Sequence, residues 1–117
     1  MQFFIYFTRN DDEQMTPPSP EGMAKMGKFM EESFKSGKIV ATGQLPKETI
    51  HIRLEDGDFS ISVGPFIEGK DLIPGFTVIE TDSRQEAIEW AKGLRECMGN
   101  GVLKMAKLSA TSQKDLK

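Results

Sequence analysis

Few of the 117 residues can exchange a proton near neutral pH, and they are scattered along the chain. There is one histidine, His51, and one cysteine, Cys97. His51 is a general-base candidate, because only an imidazole titrates near neutrality without a strong environmental shift. A catalytic histidine needs an acid to orient it, and no spacing in the chain singles one out, so an exposed or hydrogen-bonded structural His51 is the plainer reading. Arg53, two residues on, has the fork to hold a carboxylate through two hydrogen bonds, or it pairs with Glu55 at the surface. Cys97 has Ala91, Leu94 and Met98 at helical spacing around it and reads as a small packing residue rather than a nucleophile.

A second group of candidates sits in the stretch Gly64, Pro65, Phe66, Ile67, Glu68, Gly69, Lys70, followed by Pro74, Gly75 and Phe76. Glu68 and Lys70 share a loop between a turn and a strand, where binding residues concentrate. A ligand contact and a loop-fixing salt bridge are both open to them. Pro65 and Phe66 shape that loop. Tyr6 and Arg9, at the end of the first strand, add a phenol and a guanidinium that can reach the same cleft.

Other chemistries find little support. One histidine and one cysteine give no ligand cluster for zinc, and Asp11, Asp12 and Glu13 lack the glycine-turn spacing of a calcium loop, so no metal and no cofactor is expected. Lys70 is not followed by Ser or Thr, as a phosphate loop requires. A net charge of −3 without a basic block argues against nucleic acid. The apolar run from Phe3 to Phe7 is far shorter than the ~20 residues of a membrane span and lacks a signal peptide's basic lead. A single cysteine forms no internal disulfide, which fits a reduced cytoplasmic setting.

The elements that must position these groups can be read from pattern. Residues 2–8 form a strand with large apolar groups on both faces. After an acidic loop over residues 9–18, Ser19 caps a helix, Pro20 suits its first position and Gly37 stops it. Met23, Met26, Met30 and Phe34 form its apolar stripe. A short strand over residues 39–42 leads to a hairpin turning at Asp56 and Gly57. That turn sets Leu54 across from Phe59, Ile52 from Ile61 and Ile50 from Val63 on a buried face, with His51 near Ser62 and Arg53 near Ser60 outside. A strand over residues 75–81, a helix capped by Asp82 or Ser83 and a strand over residues 102–108 complete the series. The second helix buries Ala87, Ile88, Ala91, Leu94 and Met98, and Trp90 reads as core.

This order predicts one α+β domain over residues 1–108, with a flexible tail over 109–117. The arrangement is ferredoxin-like, a mainly antiparallel sheet with two helices on one face and an inserted hairpin. At 117 residues, such a domain buries roughly 65% of the surface its unfolded chain exposes. Phe4, Tyr6, Thr77 and Ile79 are expected on the sheet's other face, where the simplest cover is a second copy, giving a homodimer.

At this point the chain resembles the YCII-related family, in its branch marked by an Asp-Gly-Pro-Phe motif, the DGPF-domain proteins. The resemblance is carried by Ser19, Pro20 and Glu21, by Gly37 and Gly43, by the Gly64, Pro65, Phe66, Glu68, Lys70, Gly75, Phe76 block, and by Ala87, Ile88, Glu89 and Trp90. It implies a dimeric α/β-barrel of ferredoxin-like subunits with a small-molecule cleft between sheet, loop and partner. Some relatives look enzyme-like through a paired His and Asp. In this chain the His position falls near Met26 and the Asp position near Leu94, and position 63 carries Val where the branch has Asp. The expectation is a small-molecule-binding or accessory homodimer without that pair. The alternatives are a lyase, isomerase or cofactor-independent oxygenase working in the dimer cleft, and a regulatory protein-interaction module.

Overall fold

The computed structural model describes residues 1–8, 11, 19–45, 48–64 and 73–109. In chain order these hold β1 (Gln2–Phe7), α1 (Pro20–Lys35), β2 (Ile39–Gln44), β3 (Thr49–Glu55), β4 (Asp58–Gly64), β5 (Gly75–Glu80), α2 (Arg84–Met98) and β6 (Lys104–Leu108). Both helices start where their caps direct. Ser19 Oγ accepts a hydrogen bond from the Gly22 amide at 3.0 Å, and Ser83 Oγ accepts one from Glu86 at 3.1 Å. Each cap satisfies an amide that the first helical turn leaves without an internal partner. Of the two expected caps for α2, Ser83 is the one that serves, and the Glu86 carboxylate reaches back to accept from the Asp82 amide at 3.3 Å. Gly37, at a φ of 80°, ends α1, a backbone geometry that favours glycine.

Four strands form one antiparallel sheet in the order β2-β5-β1-β6, and β3 and β4 form a separate two-stranded sheet. With a helix after β1 and another after β5, this is the ferredoxin-like α+β arrangement. The helices cover one face. Phe3, Ile5, Ile39 and Ile79 from the sheet pack with Ala87, Trp90 and Leu94 of α2, and Met26, Phe29 and Met30 of α1 close over them.

β5 runs in the opposite phase from the one its pattern suggested. Pairing places Thr77 opposite Ile5 and Ile79 opposite Phe3, so both face the helices and are buried. Their neighbours Phe76 and Val78 join Phe4 and Tyr6 on the open face. Both phases of this strand are apolar, so alternation alone cannot choose between them. The stripe of α1 is also displaced. Met23 and Phe34 are exposed, and the packed face is completed by Phe29 and by Ser33, which is buried. Ser33 is tolerated there because Trp90 Nε1 donates to its Oγ at 2.9 Å while that hydroxyl donates to the Phe29 carbonyl at 2.8 Å.

The two helices approach closely at glycines. A Cβ on Gly22 would lie 2.7 Å from the Cys97 carbonyl oxygen, and one on Gly93 would lie 2.9 Å from the Phe29 ring. Cys97 is half-buried beside this contact.

The hairpin turn is placed as read, with Asp56 at a φ of 49° and Gly57 at 86°. Its register also holds: Leu54 pairs with Phe59, Ile52 with Ile61, Ile50 with Val63, His51 with Ser62 and Arg53 with Ser60. Its apolar face is not buried, however. Ile50, Ile52, Leu54, Phe59, Ile61 and Val63 are 58 to 71% exposed, because the hairpin makes no extensive contact with any other described element.

Candidate functional site

Where β2 and β5 reach the Phe7 end of the sheet, they part from the helices and leave a cleft of about 500 Å³. Its walls are Met23, Met26 and Met30 of α1, Leu94 and Met98 of α2, and Thr42, Gln44 and Thr77 of the sheet. Gly27, Gly43 and Gly75 also line it. A Cβ on Gly27 would meet nothing within 4 Å, so that part of the wall opens directly onto the void. The volume lies in the range of small-molecule sites, which are mostly apolar with a few fixed polar groups.

The polar groups form a short chain. Thr42 Oγ1 donates to the Phe76 carbonyl at 3.0 Å and lies 3.0 Å from Thr77 Oγ1. A hydroxyl has one proton to give, so with Thr42 committed to the carbonyl, Thr77 donates to Thr42. Both hydroxyl protons are then spent on protein partners, and what these oxygens retain is capacity to accept. Of the described residues lining the cleft, Tyr6 alone has a side chain that ionises. Its ring stacks on Phe4 at a centroid distance of 5.3 Å.

The candidate residues fall into separate places. Tyr6 borders the cleft, whereas His51 and Arg53 lie on the polar face of the hairpin and take no part in the cleft wall. Arg53 is exposed and sits 3.6 Å from Glu55, the surface pairing that was one of its two readings. Arg9, Pro65, Phe66, Glu68 and Lys70 lie outside the described residues, as do the acidic loop apart from Asp11 and the tail beyond Ser109. Among the described residues no three His, Cys, Asp or Glu side chains cluster to hold a metal ion, and no helix is long and apolar enough to cross a membrane.

Met26 and Leu94, the positions at which the resemblance set a paired His and Asp, both line the cleft. The methionines of α1 gave a partial signal in the sequence: they do form one face, but that face is shared between core and cleft. Thr42 and Gln44 carried none, since a strand pattern does not show where a sheet separates from its helices.

Asp11 ties the chain leaving β1 to the start of β6. Its Oδ2 accepts from the Thr8 amide at 2.9 Å and from Thr8 Oγ1 at 2.9 Å, and Lys104 Nζ lies 3.1 Å away. The amide hydrogen bond, and after it Lys104, holds this carboxyl below the ordinary aspartate range. At the end of α2, Arg95 donates from Nε to the Gly99 carbonyl at 2.8 Å, satisfying a helix-terminal acceptor.

Comparison with known proteins gives a family and two structural likenesses. The sequence matches the YCII-related domain over residues 1–105. No curated protein matches the chain in sequence. Among solved structures, it is similar to 5-chloro-2-hydroxyhydroquinone dehydrochlorinase from Burkholderia phenoliruptrix AC1100, in complex with 2,5-dihydroxybenzoquinone. The identity is 15%, 95% of this chain and 96% of that one are covered, and the TM-score is 0.43. It is also similar to the periplasmic divalent cation tolerance protein CutA from Archaeoglobus fulgidus, at 10% identity, 97% and 90% coverage and a TM-score of 0.40.

Proposed function

The chain belongs to the YCII-related domain family, and from that premise we propose that it is a homodimeric, cytoplasmic small-molecule-binding or accessory protein whose cleft has given up the relatives' acid–base pair. Residues 1–108 form its single domain, in the DGPF branch. The observation that carries this reading is that Met26 and Leu94 both line the cleft. Thioether and isobutyl groups neither take up nor release a proton, so the site favours binding over proton transfer. Four methionines, Met23, Met26, Met30 and Met98, give it a soft wall that adapts to shape and suits an aromatic or branched apolar ligand. Thr42 and Thr77 accept rather than donate, so the ligand's polar edge carries an O–H or N–H. The second reading, proton chemistry by a lyase, isomerase or oxygenase, would draw on Tyr6, a residue at the cleft whose ring stacks on Phe4 on the open sheet face.

Native mass spectrometry of protein purified from its own host tests the binding reading. The expected result is a retained small molecule that is lost on Gly27→Phe, a change that fills the open wall of the cleft, while Trp90 emission stays native. Protein that carries nothing, and whose melting temperature is unmoved by a panel of apolar aromatic and aliphatic hydroxy compounds, would overturn it. Turnover of a defined substrate that disappears in Tyr6→Phe would favour the enzyme reading instead.

A further inference from the structure

We propose that the end of the cleft where α1 meets α2 holds a soft monovalent cation, copper(I), on the thioether sulfurs of Met23, Met26 and Met98. This goes beyond the small-molecule reading and does not depend on it. Met23 and Met26 stand three residues apart on α1, which sets them on one helix face with their Cβ atoms about 5–6 Å apart. Met98 is the last residue of α2 and enters from the other side. The close approach of the helices brings it there. A Cβ on Gly22 would lie 2.7 Å from the Cys97 carbonyl oxygen, so the residues that follow these two, Met23 and Met98, leave the same junction, and both line the cleft.

The three differ in exposure as an entry and a seat would. Met23 is 57% exposed at the rim, whereas Met26 and Met98 are half-buried and pack against the core. A methionine stem is unbranched and has three rotatable bonds, so sulfurs on fixed backbones can turn toward one point without moving either helix. Only Met23 has to swing inward.

Donor type selects the ion. Thioethers are soft and uncharged, and such sulfur ligands select copper(I) over the harder divalent ions that carboxylates suit. None of the described residues lining the cleft is a His, Cys, Asp or Glu, and no three such side chains cluster among the described residues. A doubly charged ion would therefore enter an apolar space with no anion to answer it, where unpaired charge is costly to bury. A singly charged, polarizable ion gives up less hydration and gains sulfur lone pairs in its place. Because a thioether has no proton to lose, the ion binds without releasing one, unlike an ion held by thiolate or imidazole.

Silver(I), with the same charge and softness and no redox chemistry in air, is the probe. The full chain with Cys97→Ser, so that no thiol competes, is labelled with carbon-13 in its methionine methyl groups and titrated with silver nitrate in chloride-free buffer. The expected result is saturable binding of a single ion by native mass spectrometry. The methyl signals of Met23, Met26 and Met98 should shift together, while that of Met105, which lines a separate cavity between α2 and β6, stays in place. Affinity should hold from about pH 8 down to about pH 5, where a histidine or thiol site would weaken. Met23→Leu/Met26→Leu/Met98→Leu in the same background keeps the apolar bulk and should lose the ion with Trp90 emission unchanged. Silver that the leucine variant retains, or that shifts every methionine alike, would overturn the site. If that variant unfolds, the methyl shifts of the methionine-bearing chain decide alone. Copper(I) supplied under argon as its acetonitrile complex should then bind the same methionines, and a chain that takes silver but leaves copper(I) on acetonitrile would overturn the copper assignment. The small molecule sought in protein from its own host is a separate readout, so loss of this site leaves that reading standing.

Discussion

The central strands and the hairpin are written in the same alphabet and meet opposite fates. Phe3, Ile5 and Ile79 are at most 3% exposed, whereas Ile50, Ile52 and Ile61 are 63 to 70% exposed, although both sets are β-branched or aromatic residues on alternating positions of paired strands. The difference lies not in the strands but in the elements joined to them. β1 and β5 each precede a helix with an apolar stripe, and β3 runs into β4 through a two-residue turn that brings nothing to cover the sheet. Period-two alternation fixes which residues share a side. It says nothing about whether that side is occupied.

The comparison would break at Ile79→Ala. Removing that side chain from the fully buried centre should cost about 2–5 kcal/mol in urea unfolding, since the cavity cannot collapse against the packed helices. The same deletion at the exposed Ile52 should cost under about 1 kcal/mol. Equal losses at the two sites would mean that the hairpin belongs to the core after all. Next in size is Ser33→Ala, which strips the acceptor from the buried Trp90 Nε1. An unsatisfied indole N–H should lower stability by about 1–3 kcal/mol and alter Trp90 emission.

The smallest effect is tied to pH and sharpens the picture of the sheet. Asp11 has its folded-state pKa below the unfolded value of about 3.8, because the Thr8 amide and Lys104 favour the charged form. Its stabilising contribution is therefore present above the ordinary aspartate range and is lost as the pH falls through the lowered folded value. Asp11→Asn should flatten that part of the stability-against-pH curve; a curve identical to wild type would show that the tie between β1 and β6 contributes nothing.

Much of this was legible in the residues themselves. Ser19, Pro20, Gly37 and Ser83 mark helix boundaries through local hydrogen bonding, and Asp56-Gly57 fixes the whole hairpin register through backbone geometry, so both were readable. The phase of β5 was not, because Phe76, Val78, Thr77 and Ile79 suit either face and only pairing with β1 decides. The stripe of α1 slipped for a related reason. Ser33 looks polar, and only its bond to Trp90, 57 residues away, makes it a core residue. At the candidate site the methionines were visible and their role was not, since the cleft is lined by residues of α1, α2 and the sheet that only the fold brings together. His51 and Arg53 drew notice by side-chain type, yet position in the fold sets them apart from the cleft.

The Asp56-Gly57 turn has a consequence for how such a protein diversifies. Both residues hold positive φ, and with two residues in the loop every inward and outward position of the hairpin is determined. Slipping the pairing by one residue exchanges the greasy side of the hairpin for the polar one. No hairpin residue belongs to the described buried core, so a lineage that altered this turn would re-sort the hairpin's two exposed faces and leave that core untouched.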